Sequence, residues 1–383
     1  MKILFSLDNF DHGEGGAEKS VQTISASLAR AGHEVTVLQA GPEHVPYERS
    51  GSTIHSRRVG KPPLLHDREV LVYWQNRRWT EELNAFLDEH PADLIFTQHR
   101  LSPATVGVAR ARCVPVVTFV RAYGMFCATQ FRDHDALDGC DQQCFRCLPF
   151  RQKIKYPLVC GAVRKLGKAI CDSDVVLANS MYVQNVIDKF YGVRSYVLYP
   201  PVDLAAMRVE RNSDADRVLF VKPQKVKGVD ILRALASAMP DERFLVAGKL
   251  STRSQRGFAG QSNVECMGWV DDMREAYRRS RVLVVPSLWP EPFGRVCVEA
   301  AASGIPSIAS NAGGIPEAVG GGGILVDNRA NVEQWKSAVQ KLKDGSLYDS
   351  LSRKARDHAR HFGADVLYHT LQDAVKESLG LEI

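Results

Sequence analysis

No stretch of this sequence approaches the roughly eighteen consecutive apolar residues that a membrane-spanning helix needs. Blocks of like charge are also missing: 49 Lys and Arg are interleaved with 44 Asp and Glu, for a formal net charge of +5. That balance places no demand for nucleic acid on the chain. The basic, apolar, small-residue order of a secretory leader is absent, because Met1 runs directly into the strand-like KILFSL. The expected location is therefore cytoplasmic, at most peripheral at the inner face of a membrane. An odd count of nine cysteines without such a leader argues against a disulfide framework and for thiols or a metal. One local departure from charge mixing is HSRRVGKPP (His55 to Pro63) followed by QNRRW (Gln75 to Trp79). It is read either as a surface for a phosphate-bearing or membrane partner or as an ordinary solvated face.

What is present is the composition of a globular protein, 45% hydrophobic and 24% charged over 383 residues, long enough for two cored domains. Short apolar runs (KILFSL, HEVTVLQA, ADLIFTQ, VPVVTFV, SDVVLANS, SYVLYPPVD) recur to about residue 203, separated by helical or loop patterns. This grammar predicts a parallel α/β sheet covered on both faces. It restarts near Arg217 with DRVLFV, ERFLVAG, NVECMGWV, SRVLVVPS and IPSIAS, and from Asn331 onward the pattern is helical. The proline-led, Asp-rich stretch Tyr199 to Asp216 reads as the hinge. The expected division is residues 1–203 and 204–365, with a final helix at about 366–383 crossing back to the first domain. Two doubly wound, Rossmann-like sheets facing a central cleft would bind ligands in the loops after their strands.

The richest segment runs from Pro286 to Gly320, PSLWPEPFGRVCVEAAASGIPSIASNAGGIPEAVG. Glu291 precedes a helix expected to start near Arg295, and Glu299 falls on its second turn. Two acceptor-only side chains thus flank a helix amino end that favours an anion. Such a set suits a ligand with hydroxyls on both sides of a phosphate, approached by the Phe293-Gly294 backbone; two exposed glutamates near a helix start, where acids are common, are the plainer reading. Gly313 and Gly314 allow a tight turn before Pro316 and Glu317. Upstream, FVKPQKVKG places Lys222 and Lys227 after the first strand of the second series, where two cations can neutralise a diphosphate. In the first domain the loop with Gly13, Gly15 and Gly16 is not the dinucleotide fingerprint G-x-G-x-x-G and is weak evidence for phosphate binding.

Taken in order, the GGAE loop, ANS (Ala178 to Ser180), YPPVD (Tyr199 to Asp203), the K-P-x-x-x-K-G loop, E-x7-E within EPFGRVCVE and GGIPEA resemble the retaining GT-B glycosyltransferases of family 4. The resemblance implies a GT-B enzyme whose second domain binds a nucleoside-diphosphate sugar and whose first binds an unidentified acceptor. Transfer would retain the anomeric configuration and need no catalytic metal, since cations and a helix end stabilise the leaving group. By position, Glu291 would meet the donor sugar and Glu299 the ribose, and Lys222 and Lys227 the diphosphate. Gly15 and Gly16 would lie against phosphate or sugar, Phe293 and Gly294 would give backbone contacts, and backbone near Gly248 and Val270 would meet the base. Two departures stand out. Val221-Lys222-Pro223 replaces the family's usual residues before the second lysine, and Arg121-Ala122 stands where a His-Asp pair is common. Arg121 stays protonated and cannot act as a base, but it can orient acceptor or phosphate. His99, at the end of the ADLIFTQ strand, reads as a hydrogen-bonded structural residue. Related GT-B epimerases and phosphorylases, and a sugar-nucleotide sensor without turnover, are the competing functions.

Cys140, Cys144 and Cys147 show the C-x3-C-x2-C spacing of radical S-adenosylmethionine enzymes, and Cys127 adds a fourth thiolate suited to tetrahedral zinc. The fourth cysteine closes the set, and the surrounding grammar is not that of a barrel. A structural zinc ordering an acceptor-side loop is the expectation, with an iron-sulfur cluster or an unmetallated reduced cluster as alternatives. Cys113, Cys160, Cys171, Cys266 and Cys297 are expected to pack in cores.

Overall fold

The computed structural model describes residues 1–10, 15–59, 68–131, 137, 140, 144–210, 212, 215–250 and 257–383. The chain divides into two units, one formed by Met1–Pro201 with Ala364–Ile383 and the other by Val202–Gly363.

The first unit holds an eight-stranded sheet: β1 (Lys2–Leu7), β2 (Glu34–Ala40), β3 (Tyr47–Arg49), β4 (Ser52–Arg57), β5 (Leu94–Gln98), β6 (Val116–Val120), β7 (Val175–Ala178) and β8 (Tyr196–Val197). Their spatial order is β3-β4-β2-β1-β5-β6-β7-β8, parallel throughout except for the edge hairpin β3-β4. Largely apolar runs form β1, β2, β5, β6 and β7, whose two faces are covered by helices. Helix Gly16–Arg30 follows β1 and buries Val21, Ile24 and Leu28, spaced as one helical face. Helix Arg68–Glu89 places Trp79, Leu83, Phe86 and Leu87 in a core with Leu4, Leu38 and Ile95. Helix Met181–Tyr191 is capped by Ser180, whose Oγ accepts from the Val183 amide at 3.0 Å, and stops at Gly192. The last helix, Ala364–Leu379, packs on helix Gly16–Arg30 and on β7.

The second unit holds a six-stranded, wholly parallel sheet of β9 (Arg217–Val221), β10 (Phe244–Ala247), β11 (Val264–Gly268), β12 (Ser280–Val285), β13 (Ser307–Ser310) and β14 (Gly323–Val326), ordered β11-β10-β9-β12-β13-β14. Its core gathers Val218, Phe220, Leu232, Leu235, Phe244, Val282 and Trp335. Both parallel arrays therefore start at a central strand, wind to one side and then reverse. The reversals fall between β1 and β5 and between β9 and β12, where the carboxyl ends of neighbouring strands open a crevice.

Candidate active site

In the second unit the residues singled out by sequence converge at the β9-β12 reversal. Lys222 follows β9 with a φ of 58°, an uncommon backbone for a residue with a side chain, and its amide donates to Ala247 O at 2.9 Å. The chain then makes a 3-10 turn, Lys225–Lys227, and leaves it through Gly228. The Leu288 amide donates to Val226 O at 2.9 Å, tying this turn to the loop that follows β12.

Glu291 sits in that loop and is buried, 6% exposed, so it is not the surface acid of the plainer reading. The Lys227 ammonium lies 2.6 Å from Glu291 Oε2, and the buried Ser287 hydroxyl donates to Oε1. Lys227 also stands 5.6 Å from the Trp289 ring centre. The glycine pair fixes the same loop from below. Gly314 donates its amide to Glu291 O at 2.7 Å, and a Cβ on Gly313, whose φ is 60°, would fall 2.3 Å from that same oxygen. No other residue fits so close to backbone in that conformation.

Gly294, at a φ of 105°, opens the helix Arg295–Ala301, with Glu299 on its second turn. Glu299 is also 6% exposed; it accepts from Arg295 Nε at 2.8 Å and from the Tyr277 hydroxyl at 3.1 Å. Burial, followed by the Glu299 charge, pushes the Tyr277 phenol well above its ordinary value, so it stays a donor. The neighbouring Cys297 thiol is pushed up to about 12 by burial and then by the Glu291 carboxylate, which makes it inert. With only seven residues in this helix, the positive charge beside Glu291 is supplied by Lys227 more than by a helix dipole. Phe293 packs its ring on Phe362 at 5.3 Å and offers the site its backbone alone. Gly248 and Val270 lie past the carboxyl ends of β10 and β11; the Gly248 amide donates to Gly268 O at 2.7 Å.

In the first unit, Arg121 follows β6. It is 7% exposed, donates from Nη1 to Ala17 O at 2.9 Å and lies 4.2 Å from the Phe119 ring centre. Arg121 thus holds the first turn of the helix whose start is Gly15 and Gly16. Gly13 lies outside the described residues. His99, after β5, has a φ of 61°, and desolvation lowers its pKa from the ordinary value. Sequence reading missed Asp8, which lies beside it. Asp8, directly after β1, accepts from Arg100 Nε at 2.9 Å and from the Leu101 amide at 3.1 Å. An acid in the first position after a buried parallel strand was the available signal. Asp8, His99 and Arg100 line a cavity of about 320 Å³ whose other walls are largely apolar, among them Met125, Val159, Ala162 and Leu166. Asn179, after β7, is buried, and its Oδ1 has no hydrogen-bond partner among the described residues.

Cys127 is buried and its thiol pairs with Thr129 Oγ1 at 3.3 Å; Cys140 and Cys147 are half-buried, and the Cys144 side chain lies outside the described residues. Among the described residues, no group of three or more His, Cys, Asp or Glu gathers as a metal-binding set. Of the five cysteines expected in cores, only Cys297 is buried. Cys113, Cys171 and Cys266 are exposed, because the first follows the helix Ser102–Ala111, the second ends helix Tyr156–Cys171 and the third lies on the edge strand β11. The basic stretch is also redistributed: Arg77 is solvated, whereas Trp79 is fully buried and donates from Nε1 to Ser6 Oγ at 2.9 Å. Among the described residues no helix is long and apolar enough to cross a membrane.

Residues 14–206 match the family model described as Glycosyltransferase Family 4, and residues 215–344 match that described as Glycosyl transferases group 1. A D-inositol 3-phosphate glycosyltransferase of Segniliparus rotundus is 31% identical over 207 residues, covering 46% of this chain and 46% of that protein. The chain thus spans about half the length of the curated relatives it matches. Among solved structures, sucrose-phosphate synthase from Thermosynechococcus elongatus superposes with a TM-score of 0.75 at 17% identity, covering 98% of this chain and 99% of that one. Anabaena HepE, solved in complex with UDP, gives 0.73 at 18% identity, over 98% and 100%. At these identities the superpositions carry the fold.

Proposed function

Because this chain belongs to glycosyltransferase family 4, we propose that it moves a sugar from a nucleoside diphosphate to an acceptor hydroxyl with retention of anomeric configuration. The observation that carries this reading is the buried Ser287-Glu291-Lys227 set beside the E-x7-E helix. A carboxylate that accepts from sugar hydroxyls here adjoins a cation able to take the charge of a departing diphosphate. In the proposed reaction the bond between the anomeric carbon and the diphosphate oxygen breaks, and Lys227 and Lys222 stabilise the charge gathering on that oxygen. The acceptor hydroxyl adds to the same face of the sugar, and its proton passes to the leaving phosphate. No side-chain nucleophile takes part, in keeping with the permanent charge of Arg121, whose role is orientation. Glu299, held by Arg295 and Tyr277, presents its carboxylate to the ribose hydroxyls.

The donor is assigned to the second unit and the acceptor to the first. UDP in the HepE structure supports a uridine nucleotide as the first candidate. Thermal-shift measurements with UDP, GDP, ADP and dTDP sugars test the assignment. At least one is expected to raise the Tm of the wild type, and donor turnover should collapse in Glu291→Ala. If no nucleotide shifts the protein, or if Glu291→Ala transfers sugar at the wild-type rate, the assignment fails. The cysteine loop is proposed to hold a structural zinc through Cys127, Cys140, Cys144 and Cys147, a set that metal would have to draw together, because among the described residues Cys127, Cys140 and Cys147 do not gather as ligands. Metal analysis should find about one zinc per chain; iron with acid-labile sulfide would replace that proposal by a cluster.

A further inference from the structure

From Cys144 to Cys171 the chain has seven Lys and Arg and no Asp or Glu. At the start of this stretch four large apolar side chains stand in solvent: Phe145 is 47% exposed, Phe150 81%, Ile154 78% and Leu158 45%. Single exposed hydrophobics need no explanation, but four within fourteen residues form a concentrated feature. They alternate with basic side chains: Arg146 follows Phe145, and Lys153 and Lys155 flank Ile154. The patch is also organised. Phe145 meets Tyr156 edge-on at 5.3 Å, and the Lys153 ammonium stands 5.1 Å from the Phe145 ring centre. Its backbone runs through two short helices, Cys144–Cys147 and Phe150–Lys153, into the helix Tyr156–Cys171.

We infer that the Phe145–Leu158 segment docks the chain on an anionic lipid surface. Exposed aromatic and aliphatic groups enter the boundary between headgroups and acyl chains, while Lys and Arg keep their charges at the headgroup level. A protein partner that used the apolar groups would bury the interleaved cations against acids of its own. A bilayer with anionic headgroups satisfies both sets at once without specific pairing. The position adds a second argument. Leu158 faces solvent on the first turn of helix Tyr156–Cys171, and the next residue, Val159, lines the 320 Å³ cavity with Ala162 and Leu166. A lipid surface held by this segment therefore lies beside the pocket that ends at Asp8 and His99. The inference stands independently of the transferase reading.

The test is co-sedimentation of the full chain with phosphatidylcholine vesicles, with and without about 30% phosphatidylserine. Binding is expected to be at least about tenfold stronger to the anionic vesicles and to weaken with salt. The double variant Phe150→Asp/Ile154→Asp should lose about tenfold in binding while its Tm and its response to nucleotide stay those of the wild type. Wild-type protein that binds no vesicle, or a variant that binds as well as wild type, overturns the inference. A wild-type dimer that the variant converts to monomer, without vesicle binding, would assign the patch to a second copy and also overturn it. The nucleotide response, measured separately, reports on the transferase reading.

Discussion

Lys227→Met is expected to lower the rate of sugar transfer about 100- to 1000-fold, the scale seen when a preorganised charge is taken from a transition state. The expectation rests on where the ammonium sits. It is 2.6 Å from Glu291 Oε2, on a turn fixed by the Leu288 amide and close to the Trp289 ring. In this partly desolvated place a cation acts on the leaving oxygen far more strongly than a surface lysine would. Methionine keeps the stem and removes the charge. It also leaves Glu291, with a side chain 7% exposed, without its cation. Removing one partner of a fully buried pair costs about 3–5 kcal/mol; with the Lys227 side chain 22% exposed, the loss should lie below that range. The double variant Lys227→Met/Glu291→Gln separates the two effects. It removes both charges, so it should regain most of the stability lost by the single variant while remaining inactive. Initial rates of nucleoside-diphosphate release and thermal unfolding measure the two quantities. Transfer by Lys227→Met within about fivefold of wild type would exclude Lys227 from charge stabilisation.

Much of this site was legible because its chemistry is written as short spacings. Glu291, Gly294 and Glu299 lie in one loop and helix, and the local pattern of proline, glycine and apolar residues fixes where that helix starts. The pairing of Lys227 with Glu291 was not legible in the same way. Those residues are separated by 63 others, and they meet because β9 and β12 are neighbours at the reversal of strand order. Nor was Tyr277, which reaches Glu299 from a different helix, Met273–Arg278. Asp8 was passed over because an acid after a strand resembles any loop residue until the Arg100 turn is seen folding around it.

The sheets show the same division. Runs such as VPVVTFV and SRVLVVPS announced β6 and β12, since strands buried on both faces need uninterrupted apolar sequence. Three strands escaped. One is β3, whose three residues, YER, pair only with β4. In β4 the sequence STIHSR is polar, yet Ser52, His55 and Ser56 are all buried, the imidazole of His55 packing at 5.0 Å on the Phe86 ring. In β14 only four residues pair, directly after a glycine run that reads as a loop. In QNRRW Arg77 and Arg78 stand in solvent as a solvated face requires, but the helix Arg68–Glu89 turns the adjoining Trp79 inward. Charge in a short window does not reveal which helical face carries it.

Gly228→Ala should be among the most damaging single substitutions in the second unit, and the unit contains its own control. Gly228 and Gly260 share a φ of 85°, so an alanine at either must adopt the left-handed backbone, at about 1 kcal/mol. They differ in what the new methyl meets. At Gly260 nothing lies within 4 Å, whereas at Gly228 the Cβ would fall 2.0 Å from Pro286 O, a backbone atom at the end of β12. That carbonyl cannot rotate aside as a side chain would, so the turn carrying Lys227 must move away from the loop carrying Glu291. The clash should bring the total cost at Gly228 to about 3 kcal/mol or more. For a unit of this size that is a fall in Tm of roughly 6–12 °C, against roughly 2–4 °C for Gly260→Ala. The functional consequence follows from the direction of the strain. Gly228→Ala should weaken nucleotide-induced stabilisation as well as the fold, because it separates Lys227 from Glu291, while Gly260→Ala should leave that response unchanged. Equal Tm losses in the two variants would show that the turn relaxes freely around Pro286, and that the close seat of Lys227 against Glu291 does not depend on this glycine.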